Sequence, residues 1–181
     1  MNQKRSLFGL PELLPGVQLI SLARFEDSRG SFRECYKKPL YEQRGIACEF
    51  VQDNHSFSKK GVIRGMHIQR GQAKLITAIS GRIFDVFVDL RLGEPTFGKW
   101  QGMILDGEES IQLFIPEGFA HGFAVLSDEA HLVYKVSTLY DPTLEKVLSF
   151  NDPKVGIEWP ISDPILSLRD LQGVSLQELC R

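Results

Sequence analysis

Hydrophobic and polar positions alternate with a period of two through several short stretches of the chain. In residues 83–90 one face of such a stretch would carry Phe84, Val86, Val88 and Leu90, and the other face would carry Asp85 and Asp89. The same alternation recurs in residues 111–115, 121–125 and 132–136, with glycine, proline, serine and aspartate between the runs. The pattern predicts many short β-strands.

Helix signals are confined to two short segments. Residues 40–44 could form a short helix that ends at Gly45, and Ser175 and Glu178 have the spacing of a capping box. Many strands with so little helix predict an all-β fold, an antiparallel sandwich or jelly-roll barrel with a few short helices. The interior of such a barrel is the natural place for a ligand cavity.

Length and charge narrow the function classes. The 181 residues, 43% of them hydrophobic, predict a single domain over residues 1–181 with a sizeable core. Lys and Arg number 21 and Asp and Glu number 23, so the net charge of −2 favours neither nucleic acid nor an anionic membrane as a partner. Any binding of phosphate must therefore be local.

The cysteines and the N-terminal residues indicate the cellular compartment of the protein. Cys35, Cys48 and Cys180 form an odd set without CxxC spacing, which is typical of a reducing environment. Pro11 and Pro15 interrupt the N-terminal apolar stretch before a signal-peptide core could form. No run approaches the roughly 20 apolar residues of a membrane span. The sequence predicts a cytoplasmic protein.

The histidines are not spaced as a metal site would require, since neither HxH nor HExxH occurs. After His67, Gln69 stands where a metal-binding β-barrel would have a second histidine, and a neutral amide oxygen is a poor transition-metal ligand. We therefore expect no metal. The alternative is a site that a distant carboxylate completes with His67 and His121.

Three side chains could carry proton chemistry or only structure. His67 follows a turn-like segment at 56–61 and is either a hydrogen-bonded structural residue or a general base. His121 lies where a Pro-x-Gly turn at 116–118 leads into a strand, and it either is structural or points into a cavity. Tyr134 is either a buried structural tyrosine or a general acid.

Cationic side chains stand at several segment boundaries, where they are either solvated or available to a phosphate: Arg29, Arg64, Lys74, Arg91 and Arg169. Lys74, at the head of a predicted strand over 74–80, could also stabilise an oxyanion. The chain has no Walker loop, GxGxxG or GxSxG, which disfavours nucleoside triphosphate enzymes, Rossmann oxidoreductases and α/β-hydrolases.

A series of motifs runs in order along the chain: FEDSRGSFRE (25–34), QDNHS (52–56), GVIRGMH (61–67), VDLR (88–91), PTFG (95–98), PEGFAHGF (116–123), YK (134–135), NDP (151–153), IEWP (157–160) and LSLRD (166–170). Together they resemble the dTDP-4-dehydrorhamnose 3,5-epimerase family over about residues 17–171. The resemblance implies a cupin-like jelly roll that works as a homodimer without metal or other cofactor.

The same resemblance implies roles for individual residues. His67 would be the base, Asp170 its orienting carboxylate, and Tyr134 the acid that returns a proton from the opposite face of the sugar ring. His121 and Lys74 would bind the sugar or its O4. The remaining residues implied to line the nucleotide-sugar site are Arg29, Glu34, Gln52, Asn54, Arg64, Tyr140, Glu145 and Arg169.

The implied reaction is epimerisation at C3 and C5 of dTDP-4-keto-6-deoxyglucose, in a pathway supplying L-rhamnose or a similar sugar for polysaccharide. The link between His67 and Lys74, residues 68–73, is shorter than the proline-containing link usual in the family. A 3-epimerase or isomerase of another nucleotide-4-keto sugar is therefore an alternative. A non-catalytic sugar-binding barrel is a third, which the joint presence of His67, Tyr134 and Asp170 disfavours.

Overall fold

A computed structural model of the chain describes residues 13–179. The interrupted N-terminal stretch up to residue 12 and Cys180 lie outside the described residues. In chain order the strands are β1 (Gln18–Ser21), β2 (Arg24–Asp27), β3 (Gly30–Arg33), β4 (Gln52–Lys59), β5 (Ile63–Gln69), β6 (Lys74–Ser80), β7 (Arg82–Asp89), β8 (Trp100–Asp106), β9 (Ile111–Ile115), β10 (Phe119–Val125), β11 (Glu129–Val136) and β12 (Glu145–Val147). Short helices are α1 (Lys38–Glu42), α2 (Leu168–Leu171) and α3 (Leu176–Leu179).

The strands form two five-stranded antiparallel sheets. The first sheet has the order β1-β9-β6-β11-β4, the second has the order β12-β5-β10-β7-β8, and β2 and β3 form a separate hairpin. From β4 to β7 and again from β8 to β12, consecutive strands alternate between the two sheets, as a jelly roll requires. The predicted all-β jelly-roll fold is confirmed.

The main core lies between the sheets, where side chains from β6, β7, β9, β10 and β11 form one hydrophobic cluster. A second cluster lies on the outer side of the second sheet, beneath the C-terminal segment that includes Leu148 and Leu176. Strand β7 contributes Phe87 to the first cluster and Val86 to the second. Its predicted alternation is therefore confirmed, and both of its faces are buried.

The predicted helices are present with small shifts. Helix α1 begins before the expected residue 40, because Pro39 in its first turn suits a helix start. Ser175 and Glu178 form the predicted capping box, in which the Glu178 amide donates to Ser175 Oγ at 3.3 Å and the Ser175 amide donates to Glu178 Oε2 at 3.0 Å. None of the described helices is long and apolar enough to cross a membrane.

Two local features differ from expectation. The segment 56–61 is not turn-like over its whole length, because β4 continues to Lys59 through its pairing with β11 and leaves the turn to residues 60–61. Helix α2 was not predicted, because four residues carry too little periodicity to show in a sequence. Its start is fixed by Ser167, whose Oγ accepts from the Asp170 amide at 3.1 Å.

Candidate active site

A cavity of about 470 Å³ opens between the two sheets. Most of the residues predicted for the site line it, namely Gln52, Asn54, Arg64, His67, Lys74, His121, Tyr134, Tyr140, Glu145 and Arg169. The first sheet supplies lining side chains from β4, β6 and β11, and the second supplies them from β5, β10 and β12. Residues that are far apart in sequence thus meet in one place.

His67 and Asp170 are in direct contact, with His67 Nε2 2.6 Å from Asp170 Oδ1. Burial raises the pKa of Asp170, but hydrogen bonds from His67, Ser167 and the Gly65 backbone outweigh it and hold the pKa below its usual value. Asp170 is therefore ionised and fixes the ring of His67. The other ring nitrogen, Nδ1, lies 3.9 Å from Glu145 Oε1.

The position of His67 depends on a close approach between β5 and β10. Gly65 has a φ of +132°, and a Cβ added to it would lie 2.5 Å from the Cα of Gly122. Only glycine suits both the conformation and the space at this point. Beside this contact His121 pairs directly with His67, and the register shifts before Phe123. The glycine contact thus places two histidines side by side on one wall.

His121 has a buried carboxylate partner that was not predicted, Asp85. His121 Nε2 lies 2.9 Å from Asp85 Oδ2, and the two residues are 8% and 0% exposed. Burial raises the pKa of Asp85, an effect that the neighbouring His121 opposes. The signal in the sequence was an aspartate within the hydrophobic stretch 83–90, but the sequence did not show its partner.

Lys74 begins β6 and is only 6% exposed, although it lines the cavity. No carboxylate among residues 13–179 forms an ion pair with it. Burial alone lowers the pKa of its ammonium group to about 8. Lys74 therefore lines the cavity despite the short link after His67. Gln72, which belongs to the same link, also lines the cavity and was not predicted.

The buried Lys74 predicts a pH-dependent stability. Its pKa is about 8 in the folded protein against 10.5 ordinarily, so between these values the unfolded chain binds more protons and the free energy of unfolding rises with pH. Lys74→Met removes this titration. The difference in free energy of unfolding between Lys74→Met and the wild type should therefore be on the order of 3 kcal/mol larger below pH 8 than near pH 10.5.

Denaturant unfolding of both proteins at a series of pH values measures this difference. Lys59→Met is a matched control, because Lys59 is exposed at the end of β4 and should give no comparable change between pH 8 and 10.5. A difference between Lys74→Met and the wild type that stays constant across this range would contradict the prediction.

Tyr134 lies on the opposite wall from the two histidines. It belongs to β11 in the first sheet, where it pairs with Asn54 and Ile76, whereas His67 and His121 belong to the second sheet. Burial raises the pKa of its phenol, and the charge of Arg64 acts in the opposite direction. The hydroxyl is therefore protonated at neutral pH and available as a donor.

Polar side chains near Tyr140 are tied to one another. Arg169 Nη1 donates to the Tyr140 hydroxyl at 2.9 Å, and Arg169 also pairs with Glu145. The Tyr140 amide donates to Gln52 Oε1 at 2.9 Å, and Gln52 Nε2 donates to Asn54 Oδ1 at 2.7 Å. This part of the cavity combines a cation with amide groups, which suits a phosphorylated and hydrogen-bonding ligand.

Some predicted residues lie outside the cavity. Arg29 is on the turn between β2 and β3 and binds the Asp27 carboxylate, and Glu34 follows β3, so neither lines the cavity. Arg91, a candidate phosphate ligand, instead binds the buried Asp89 at 2.6 Å. The further lining residues that were not predicted are His55, Ser56, Phe57, Phe123 and Val136.

Metal-binding groups are not concentrated in the part of the chain that the structure describes. Within residues 13–179 there is no group of three or more His, Cys, Asp or Glu side chains that could hold a metal ion. The described cavity brings together the His67–Asp170 pair, the phenol of Tyr134, and the side chains of Lys74 and His121.

Known proteins resemble this chain over nearly its whole length. The family profile described as dTDP-4-dehydrorhamnose 3,5-epimerase matches residues 12–178. A protein of that name from Shigella flexneri is 47% identical over 164 residues, which cover 88% of this chain and 91% of the relative. Another from Neisseria gonorrhoeae is 48% identical over 163 residues. The match covers 88% of this chain but only 50% of that relative.

Two further matches differ in their described activity or ligand. A dTDP-4-dehydrorhamnose 3-epimerase from Streptomyces niveus is 40% identical over 169 residues, covering 91% of this chain and 82% of the relative. The crystal structure of a dTDP-6-deoxy-D-glucose-3,5-epimerase from Legionella pneumophila, in complex with dTDP-4-keto-L-rhamnose, superimposes with a TM-score of 0.86. It is 44% identical, over 89% of this chain and 88% of that chain.

Proposed function

The chain belongs to the dTDP-4-dehydrorhamnose 3,5-epimerase family, and we propose that it epimerises dTDP-4-keto-6-deoxyglucose at C3 and C5 to give dTDP-4-keto-L-rhamnose. The observation that carries this proposal is the placement of His67, bound to Asp170, and Tyr134 on opposite walls of one cavity. An inversion at carbon needs a base on one face of the ring and an acid on the other.

Proton removal falls to His67. Because Nε2 is bound to Asp170, Nδ1 is the nitrogen left to accept a proton from C3 or C5 of the sugar. The C4 ketone makes these carbons acidic, since the electron pair of the broken C–H bond passes to O4 as an enolate. Asp170 stabilises the imidazolium that forms, and Lys74 and His121 are the donors for the enolate oxygen.

Reprotonation falls to Tyr134. Its hydroxyl proton is transferred to the same carbon from the opposite face, the enolate returns to the ketone, and a tyrosinate remains. His67 then releases its proton to water and Tyr134 regains one from water, which resets both groups before the second carbon is inverted and again before the next turnover. The raised pKa of the phenol is consistent with this role, because it keeps the proton in place until the enolate has formed.

The nucleotide part of the substrate would occupy the polar side of the cavity. Arg169 and Arg64 are the cations there that can contact the diphosphate. Glu145 and Tyr140 hold the guanidinium of Arg169, and Gln52 and Asn54 offer amide groups to the sugar or the base. The Arg169 side chain is 44% exposed, so phosphate oxygens can reach its guanidinium.

Proton NMR of dTDP-4-keto-6-deoxyglucose in deuterated buffer tests the proposal, with a protein-free sample as the control. We expect exchange at both C3 and C5 and the appearance of the inverted product. Exchange at C3 alone would instead identify a 3-epimerase, an alternative favoured by the Streptomyces niveus relative. Binding without exchange at either carbon would show a sugar-binding barrel and would contradict an enzymatic role.

We also propose that the enzyme is a homodimer, formed through the hairpin of β2 and β3. Phe25 and Phe32 on this hairpin are 59% and 65% exposed with ring centroids 6.4 Å apart, and exposed aromatic patches mark association surfaces. The hairpin region also contains Arg29 and Glu34, which have no place in the cavity of their own chain. A second copy would give these side chains a site to act on.

Analytical ultracentrifugation at micromolar concentration tests the dimer. The wild type should sediment as a dimer, and Phe32→Ser should shift the population towards monomer with a loss of activity. Leu92→Ser is a matched control, because Leu92 is 73% exposed but lies far along the chain from the hairpin. A fully active monomer would contradict this proposal.

We further propose a cytoplasmic, single-domain protein. Cys35 and Cys48 are both free thiols, as expected in a reducing compartment. A single family profile also matches residues 12–178. Cell fractionation against a cytoplasmic marker enzyme tests the location, and a single cooperative unfolding transition by two optical probes tests the domain count.

A further inference from the structure

Asp85 is a fully buried carboxylate next to the cavity, and none of the proposed proton transfers involves it. It lies on β7, and its Oδ2 is 2.9 Å from Nε2 of His121 on the neighbouring strand β10. His121 lines the cavity, and its second ring nitrogen, Nδ1, has no hydrogen-bond partner among the described residues. The pair therefore links a buried carboxyl group to an imidazole ring that lines the cavity.

The described surroundings of Asp85 leave His121 as the group that balances its charge. Asp85 Oδ1 is buried without a hydrogen-bond partner in the described part of the chain. Among residues 13–179 no Lys or Arg side chain forms an ion pair with Asp85. A buried carboxylate is costly unless a hydrogen-bonded partner compensates it, and His121 is the described side chain placed to do so.

The other histidine–carboxylate pair has the opposite environment. Asp170 receives hydrogen bonds from Ser167 and the Gly65 backbone in addition to His67, and its pKa is lowered. Asp85 has His121 alone, and burial raises its pKa. Asp170 thus has neutral donors as well as His67 to stabilise its charge, whereas Asp85 has only His121 among the described residues. Two similar pairs with different surroundings can thus serve as base and as donor.

We propose that Asp85 is a positioning residue that holds His121 as an imidazolium, whose Nδ1–H then donates a hydrogen bond to the enolate oxygen at C4 of the substrate. The role in catalysis rests on the proposed function, but the charge state of His121 does not. Other titratable or charged side chains sharing the cavity are His55, Arg64, His67, Lys74, Tyr134, Tyr140, Glu145 and Arg169. Of these, Lys74 is the second donor assigned to the same oxygen.

Nitrogen-15 NMR of the histidine rings in the substrate-free wild type tests the charge state directly. At pH 7 both nitrogens of His121 should carry protons, and their signals are assigned by their loss in His121→Gln. In Asp85→Asn the ring of His121 should become neutral. A neutral His121 ring in the wild type would overturn the proposal, and this measurement requires no variant of Asp85 to fold.

Kinetics test whether the charge acts on the reaction. Asp85→Asn should lower kcat for exchange at C3 and C5 roughly 10- to 100-fold while KM changes little, because the lost interaction forms only with the enolate. In a His121→Gln background the same substitution should cause no further loss. Independent, multiplicative losses, or a kcat in Asp85→Asn equal to that of the wild type, would overturn the proposal.

Asp89→Asn is a matched control for a purely structural role. Asp89 is the other fully buried acid of β7, and it binds Arg91 and Thr96 rather than a cavity residue. This variant should lower the melting temperature and leave kcat of the folded enzyme unchanged. If the wild type itself catalyses no exchange, the proposed function fails, while the NMR result still decides whether Asp85 keeps His121 charged.

Discussion

The His67→Asn variant is expected to lose exchange at both C3 and C5 by about 10³-fold or more, near the upper range for a general base. Asparagine can still hydrogen-bond to Asp170 but has no basic nitrogen to accept the carbon-bound proton. Folding should be retained, because the side chain of His67 is 30% exposed at the cavity and does not belong to the hydrophobic core. Deuterium incorporation by NMR and circular dichroism measure the two effects.

His131→Asn is the control for a general effect of replacing a histidine. His131 lies on β11, bonds to His55 at 3.0 Å and does not line the cavity, so its replacement should leave exchange near the wild-type rate. If His67→Asn were also near normal while remaining folded, His67 would not be the base. A loss of activity that tracked a loss of folded protein would likewise remove the assignment.

The Tyr134→Phe variant is expected to separate exchange from inversion. Phenylalanine fills nearly the same space between Asn54 and Ile76 but has no proton to return to the opposite face of the ring. His67 can still remove the proton and restore deuterium from its own side. Formation of inverted product should therefore fall by about 10² to 10⁴-fold, while exchange is largely retained.

The measurement combines deuterium incorporation with the configuration of the recovered sugar, both read from the same NMR spectra. Tyr36→Phe serves as the control, because Tyr36 packs with Tyr41 and Phe50 on the outer side of the first sheet. It should alter neither quantity. Equal losses of exchange and inversion in Tyr134→Phe would assign Tyr134 to substrate binding, and normal inversion would exclude it as the acid.

Several features of the fold could be predicted because they depend on neighbours in the sequence. The alternation in residues 83–90 is that of a strand with two distinct faces, and β7 has this structure. The capping box at Ser175 needs only two residues three positions apart, and it forms as expected. Strand alternation, turn glycines and caps are local properties, so they can be read without knowing what packs against them.

The residue types of the site could also be predicted, and the family resemblance implied that Asp170 orients His67, but local sequence pattern could not pair the two residues. His67 and Asp170 are separated by 103 positions and meet only because α2 packs beside β5. Asp85 was visible as an aspartate within a hydrophobic strand, yet its contact with His121 depends on the register of β7 and β10. A register between distant strands is set by the packing of both sheets and leaves no local signal.

The sequence by itself determined the strands, the all-β class and the residues able to take part in proton transfer, because each is a matter of local pattern or of chemical type, and the resemblance to a known family added the jelly roll. Only the tertiary structure decided that Asp85 binds His121 and that Lys74 is buried with a pKa of about 8, and it supplied the contact between His67 and Asp170 that the resemblance had implied. Protonation and orientation depend on burial and distance, and the folded chain alone sets both.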